Sequence, residues 1–346
     1  MTKLFIPTRN RPTSLAKILQ YLVEFFPHTE VIVADGSADF HKEQNISNFK
    51  TISTGLSIDY RSYPSNLGML ERCLDVLRSL DDELIIWGAD DDYPNMVLLE
   101  RGAAFLAKNP DYVAATGATI KIMKKKEGIL HKLSVARPIQ AARAEVRMKA
   151  YSQWSFPTTY AVVRRSHIFD RLKRLSSLGQ PGFFDFITGL HDVYKGKIQS
   201  YADIAFFATY IPNHARLKTI NKLDFLNKSS NVLAIHESIV KDLESLGYLG
   251  QEDVDRIAQK IILNRISELS GWGFKKSVKF LSSKYYLDKI VKEQFVMYDN
   301  LLQEGTDVQK RYFSYLKYIY EAMREIEVSD DNQGEPSKHT RESICL

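Results

Sequence analysis

An α/β domain with a mainly parallel sheet and helices on both faces, followed by a C-terminal helical region, is the fold this sequence predicts. Three observations carry it. Apolar runs of strand length alternate with segments of helical period through the first part of the chain. Those runs end in polar or acidic loops. From about Asn221 the strand-like runs stop while helical periodicity continues.

Leu4–Thr8 reads as a first strand, followed by the polar loop Arg9-Asn10-Arg11-Pro12. Thr13 or Ser14 then caps a helix whose apolar residues Leu15, Ile18, Leu19, Leu22 and Phe26 share one face. Val31–Ala34 is a second strand ended by Asp35-Gly36-Ser37. A polar, ambiguous stretch follows, with Ile58–Arg61 a short strand. Asn66-Leu67-Gly68 opens a helix bearing Leu70, Cys73, Leu74 and Leu77. The run Leu84–Ala89 then drives into Asp90-Asp91-Asp92, and Pro94 stops it. This β-α-β-α-β order implies right-handed crossovers.

Val97–Leu106 is helical in pattern, Tyr112–Ile122 contains a strand, and Lys121–Glu127 reads as a solvated hairpin tip or loop. Ala141–Tyr151 is helical and Tyr160–Val163 extended. Helical Ser166–Leu175, the loop Gly179–Gly182 and helical Phe183–Val193 follow, then extended Gly196–Ile198 and Ala205–Tyr210. Leu223–Leu246, Gln251–Leu269, Ser277–Asn300 and Val308–Glu327 are helical. The expected division is residues 1–220 as the α/β domain, 221–328 as the helical region and 329–346 as a disordered tail.

Apolar residues make up 44% of the chain and charged ones 26%, the balance of an ordinary globular protein. The net charge of +5 is too mild to imply nucleic acid, and no such partner is expected. Two cysteines imply no disulfide framework, and Cys73 falls on an apolar helix face. Met1 leads directly into a strand, leaving no room for a signal peptide, and no apolar stretch is long enough to span a membrane. A cytoplasmic protein is expected.

Three loop groups fall where strands end, the place at which open α/β sheets bind ligands. Asp35 beside the small Gly36 can accept hydrogen bonds from a base or ribose, although Asp-Gly-Ser is also ordinary turn chemistry. Amides at Asn66-Leu67-Gly68 can face an anion or simply begin a helix. Three successive aspartates are costly unless a cation joins them. Hard Mg²⁺ or Mn²⁺ takes one or two carboxylates plus phosphate oxygens, and on an extended segment Asp90 and Asp92 point the same way. Alone, each group also reads as a turn, a cap or a solvated acidic loop.

Their order is more telling. The pattern Ile6-Pro7-Thr8-Arg9-Asn10-Arg11-Pro12, Val31-Ile32-Val33-Ala34-Asp35-Gly36-Ser37, Asn66-Leu67-Gly68 and Ile85-Ile86-Trp87-Gly88-Ala89-Asp90-Asp91-Asp92 resembles the GT-A glycosyltransferases. Within them it is most similar to the large inverting group that includes family 2. The resemblance extends to about residue 215 and is most specific over the first hundred. It implies the GT-A, Rossmann-like fold and a metal-dependent, inverting transfer of sugar from a nucleotide-sugar donor to a glycan or lipid-linked acceptor, in the setting of bacterial surface polysaccharide synthesis. By that resemblance Pro7, Thr8, Arg9, Asp35, Asn66, Gly68, Asp90 and Asp91 bind the nucleotide sugar. Asp92 and Asp90 hold Mn²⁺ or Mg²⁺. Many relatives carry two acidic residues before the Gly-Ser, where this chain has Ala34-Asp35.

The resemblance also implies a carboxylate base at a helix start downstream, which Asp185 matches, with Asp192 the second choice. His214 stands where some GT-A enzymes complete metal or diphosphate binding, with Arg216 or Lys218 near the diphosphate. Trp154, Phe156 and Tyr160 suit either an aromatic wall for the acceptor sugar or the core. From Trp272 to Lys289 basic and aromatic residues interleave, which suits a peripheral contact with the inner face of a membrane or a helix docked with a solvated lysine face. A nucleotidyltransferase would show a glycine-rich loop after the first strand, and none is present. A catalytically degenerate glycan-binding or scaffold subunit is the non-enzymatic alternative.

Overall fold

The computed structural model describes residues 2–52, 55–125, 128–153, 155–178, 184–210, 229–270 and 307–332. The strands are β1 (Lys3–Thr8), β2 (Glu30–Asp35), β3 (Ser57–Ser62), β4 (Leu84–Trp87), β5 (Asp92–Pro94), β6 (Tyr112–Lys125), β7 (Gly128–Ser134), β8 (Val162–Arg164) and β9 (Lys197–Tyr210). The helices are α1 (Pro12–Phe25), α2 (Asp39–Ile52), α3 (Met69–Ser79), α4 (Met96–Lys108), α5 (Ala144–Gln153), α6 (Arg165–Ser177), α7 (Phe184–Lys195), α8 (Ser229–Glu244), α9 (Gln251–Ser270) and α10 (Asp307–Asn332).

One sheet runs in the order β3-β2-β1-β4-β8-β6-β9-β5, with β7 paired to β6. Its first four strands are parallel, β8 is antiparallel to both neighbours, β6 and β9 are parallel, and β5 returns antiparallel on β9. Laid flat, β4 and β5 would stand about 19 Å apart, four strand spacings. Only residues 88–91 join them, and five fully extended Cα steps reach about 18 Å. The sheet therefore curls. Register shifts along β6 and β9 supply the bend: Thr116 pairs with Ser200 but Ala118 with Ile204. Gly117 sits in that bend, where a Cβ would stand 2.3 Å from the Asp203 carbonyl oxygen.

Strand alternation builds two cores. Leu4, Ile6, Val31, Val33 and Ile86 face α1, α4 and α10, while Phe5, Ile32, Ala34, Ile85 and Trp87 face α3, α5, α6 and α7. Helices cover both faces. Those after residue 229 divide between them: α8 and α9 complete the second core, and α10 lays Tyr312, Tyr315 and Ile319 against the first. No described helix is long and apolar enough to cross a membrane.

Several elements differ from expectation. The ambiguous polar stretch is α2, of which only Asn45 and Ile52 are buried, so it lacks the apolar stripe that reveals a helix in sequence. Helix α1 begins two or three residues earlier than expected, with Arg11 at the cap position and Pro12 at the first turn, and neither Thr13 nor Ser14 caps it. The two extended runs after Gly196 form one fourteen-residue strand. Helix α10 extends to Asn332, into the segment expected to be disordered. Ser277–Asn300, the Gly179–Gly182 loop and the basic-aromatic stretch from Trp272 lie outside the described residues.

Candidate active site

The acidic turn stands at the centre of the carboxyl edge of the parallel strands. Asp90, Asp91 and Asp92 are 4%, 8% and 4% exposed. Asp90 and Asp91 form a turn and only Asp92 enters β5, so the extended alternation expected to aim Asp90 and Asp92 together is absent. Thr8, at the end of β1, donates its hydroxyl to Asp90 Oδ2 at 2.7 Å. Arg11 Nη1 donates to Asp90 Oδ1 at 2.9 Å and to Asp91 Oδ2 at 3.3 Å. Burial pushes the Asp90 carboxyl above the usual carboxylate range, with the Arg11 charge the largest opposing influence. Arg11 itself is held more firmly protonated, chiefly by Asp90.

Asp92 has different partners. Its Oδ2 accepts the Tyr160 hydroxyl at 2.6 Å and its Oδ1 the Thr209 backbone N–H at 3.1 Å. The next residue, Tyr93, points into the core against Tyr21 and Tyr318 of α10, with ring centroids 5.1 Å and 6.4 Å away. Strand alternation thus turns one side chain to Tyr160 and Thr209 while its neighbour anchors the strand in the core.

Asp35 is fully buried. Its carboxylate accepts the Ser37 N–H at 2.7 Å, the Asn45 amide at 2.7 Å and the Tyr60 hydroxyl at 2.8 Å. In this arrangement it braces the loop rather than presenting a free acceptor to a base. Asn10, left-handed at φ 54°, ties that loop to the β1–α1 loop through Ser37 Oγ and the Ala38 N–H. Pro7 lies within β1 in register with Ala34.

The anion expected at the start of α3 meets an occupied amide, because Gly68 N–H donates to Glu71 at 2.9 Å, and Asn66 is exposed. Arg72, one turn further on, is what that helix brings to the site. It is 2% exposed, and its Nε and Nη1 have no hydrogen-bond partner among the described residues. Its guanidinium lies against Gly36, where a Cβ would stand 1.1 Å from Nη1. Burial holds Arg72 below the usual arginine range. Arg9 Nε, on the β1–α1 loop, is likewise buried and without a partner among the described residues. An unpaired buried guanidinium is costly, and an anion would relieve that cost. The sequence carried no signal for Arg72, since a basic residue on an amphipathic helix ordinarily faces water.

Asp185 opens α7 and is solvent-exposed. Thr159 Oγ1 reaches its carboxylate at 3.4 Å, while Tyr151 and Thr188 hydroxyls donate to its backbone carbonyl, both at 3.1 Å. Crowding by protein still raises its carboxyl above the ordinary range, with Lys121 the largest opposing charge. Adjacent residues Thr159 and Tyr160 therefore contact Asp185 and Asp92 respectively, which brings the two carboxylates into one neighbourhood. Asp192 is fully buried in an ion pair with Arg171 at 2.9 Å and is no candidate base. Phe156, 3% exposed and packed on Tyr151, belongs to the core rather than an acceptor wall. Trp154, His214, Arg216 and Lys218 lie outside the described residues.

Among the described residues no three His, Cys, Asp or Glu side chains form a metal-binding group. The hard carboxylate oxygens at the turn nonetheless suit Mg²⁺ or Mn²⁺, which need one or two carboxylates when phosphate and water complete the shell.

The carboxyl edge of the parallel strands thus carries the acidic turn Asp90–Asp92 after β4 and, beside the end of β2, the buried Arg72 guanidinium against Gly36. Residues 4–170 match the family described as Glycosyl transferase family 2, which makes this part of the chain a glycosyltransferase domain of the GT-A kind. No curated protein matches it in sequence. Among solved structures it resembles S. aureus TarS 1-349 at 15% identity and a TM-score of 0.50, over 98% of this chain and 93% of that one. The same protein in complex with UDP-GlcNAc matches at 14% identity and a TM-score of 0.50, with the same coverage.

Proposed function

We propose that this glycosyltransferase moves a sugar from a nucleotide-sugar donor to a hydroxyl of a glycan or lipid-linked acceptor, with Mg²⁺ or Mn²⁺ and with inversion at the anomeric carbon. The observation that carries the donor site is Arg72, a buried guanidinium without a partner among the described residues, seated under Gly36 at the edge where the acidic turn stands. The nucleoside diphosphate lies over Pro7, Thr8, Arg9 and Gly36, with Arg72 and Arg9 supplying positive charge. Asp35 supports this seat through Ser37, and Asn66 and Gly68 border it.

Asp92, with Asp90 and Asp91 beside it and His214 a further candidate, would hold the metal. A divalent ion bound there supplies charge neutralisation for the departing diphosphate. Asp185 removes the proton from the acceptor hydroxyl as its oxygen attacks the anomeric carbon. The bond from that carbon to the diphosphate oxygen breaks, and the nucleoside diphosphate leaves with the electron pair. Tyr160 orients Asp92 through its hydroxyl. Assembly of bacterial surface polysaccharide on the cytoplasmic side of a membrane is the setting this reading favours.

The test is a thermal-shift panel of nucleotides and sugar nucleotides with Mn²⁺, Mg²⁺ or chelator. A donor at about 100 Kd adds roughly 2.7 kcal/mol to the stability of the native state. One donor giving a metal-dependent shift, lost in Asp92→Asn, is the expected result. No shift with any nucleotide would overturn the proposal and favour a degenerate scaffold.

A further inference from the structure

Arg11 differs from the other basic residues of the site because its partners are the carboxylates themselves. A single nitrogen bridges Asp90 at 2.9 Å and Asp91 at 3.3 Å, and Thr8 occupies the second oxygen of Asp90. The Arg11 side chain is 21% exposed, against 6% for that of Asp90 and 10% for that of Asp91. The backbone beneath it is pinned, with Asn10 tied to Ser37 and Ala38 on one side and Pro12 opening α1 on the other.

We propose that Arg11 is a resident counter-cation of the acidic turn, exchanged for the divalent ion rather than coexisting with it. This rests on the metal-dependent reading above. Buried carboxylates without a countercharge are costly, so a ligand-free site benefits from a cation of its own. A guanidinium suits that role because it is weakly hydrated and forms several donors in one plane. A divalent ion within bonding distance of the same oxygens would repel it strongly at short range. Cation entry therefore requires Arg11 to leave, and the ion's apparent affinity is reduced by the work of displacing it.

The experiment measures Mn²⁺ alone, without nucleotide, by the electron paramagnetic resonance signal of the free ion, on the full chain. Arg11→Gln is expected to tighten Mn²⁺ binding by about tenfold, the equivalent of one charge-assisted hydrogen bond no longer broken. Asp92→Asn should weaken it in either background. Because Arg11→Gln can lose fold along with its countercharge, a second measurement uses the wild-type chain. Phenylglyoxal labelling of Arg11, read by mass spectrometry, should rise when Mn²⁺ is added. Wild-type binding of Mn²⁺ with no tightening in a folded Arg11→Gln, or with Arg11 labelling unchanged, overturns the exchange and leaves the metal site standing. Absence of Mn²⁺ binding in both wild type and Arg11→Gln overturns the exchange, and the metal dependence of the donor-induced thermal shift then decides the metal site separately.

Discussion

Gly36 and Arg72 form a matched pair: the guanidinium occupies the space where any other residue at position 36 would place its Cβ, 1.1 Å from Nη1. Gly36 is thereby tied to the placement of Arg72. The group that would clash is the end of a flexible side chain, so Gly36→Ala should fold, at a cost of about 1 kcal/mol, while pushing Arg72 out of place. Nucleotide affinity in calorimetry should fall about tenfold or more, as for the loss of a charge-assisted contact. Arg72→Met should show the same loss, and the double variant little more, because both act on one contact.

Arg72→Met should also leave the protein at least as stable as wild type in urea. A buried guanidinium with two nitrogens lacking partners among the described residues opposes folding, and an apolar chain of similar length removes that cost. A large stability loss would show instead that Arg72 is a structural support.

Asp185 offers a pH signature. Crowding by the surrounding protein raises its carboxyl above the ordinary range, and the base acts only when ionised. As pH falls through that raised value the base gains a proton and transfer slows, so the acid limb of kcat/KM should lie above about 4, where an unperturbed carboxyl titrates. Asp185→Asn should retain donor binding in the thermal-shift panel and lose transfer by two or more orders of magnitude, on the order of a general base's contribution. Unchanged transfer would remove Asp185 from the mechanism.

The buried Arg171–Asp192 pair, 1% and 0% exposed at the side chains, joins α6 to α7. Asp192→Ala strands the guanidinium in the core and should cost about 3–5 kcal/mol in chemical denaturation. Helix α7 carries Asp185, so the same variant should reduce transfer more than donor binding. Equal stability would contradict the buried pair.

Elements with a strong local period are legible in the sequence. Leu4, Ile6 and Phe5 alternate between the two cores, and Leu15, Ile18, Leu19 and Leu22 are buried on one face of α1. The acidic turn is legible too, because three carboxylates at the end of an apolar strand are a local feature of composition. Helix α2 is not, since a helix burying only Asn45 and Ile52 leaves no stripe.

What the sequence by itself determined, then, is the order of the elements with a strong local period, α2, β5 and β7 not among them, and the identity of the acidic turn, which arise from interactions over a few residues. Only the tertiary structure decided that Asp35 is enclosed by Asn45 and Tyr60, and that Arg72 lies beneath Gly36. It also decided that Tyr160 rather than Asp90 is what meets Asp92, and that α10 supports Tyr93 from more than two hundred residues away. The curl of the sheet brings these residues together, and that curl is set by how long strands with shifted register pack between two cores. No spacing along the chain encodes it.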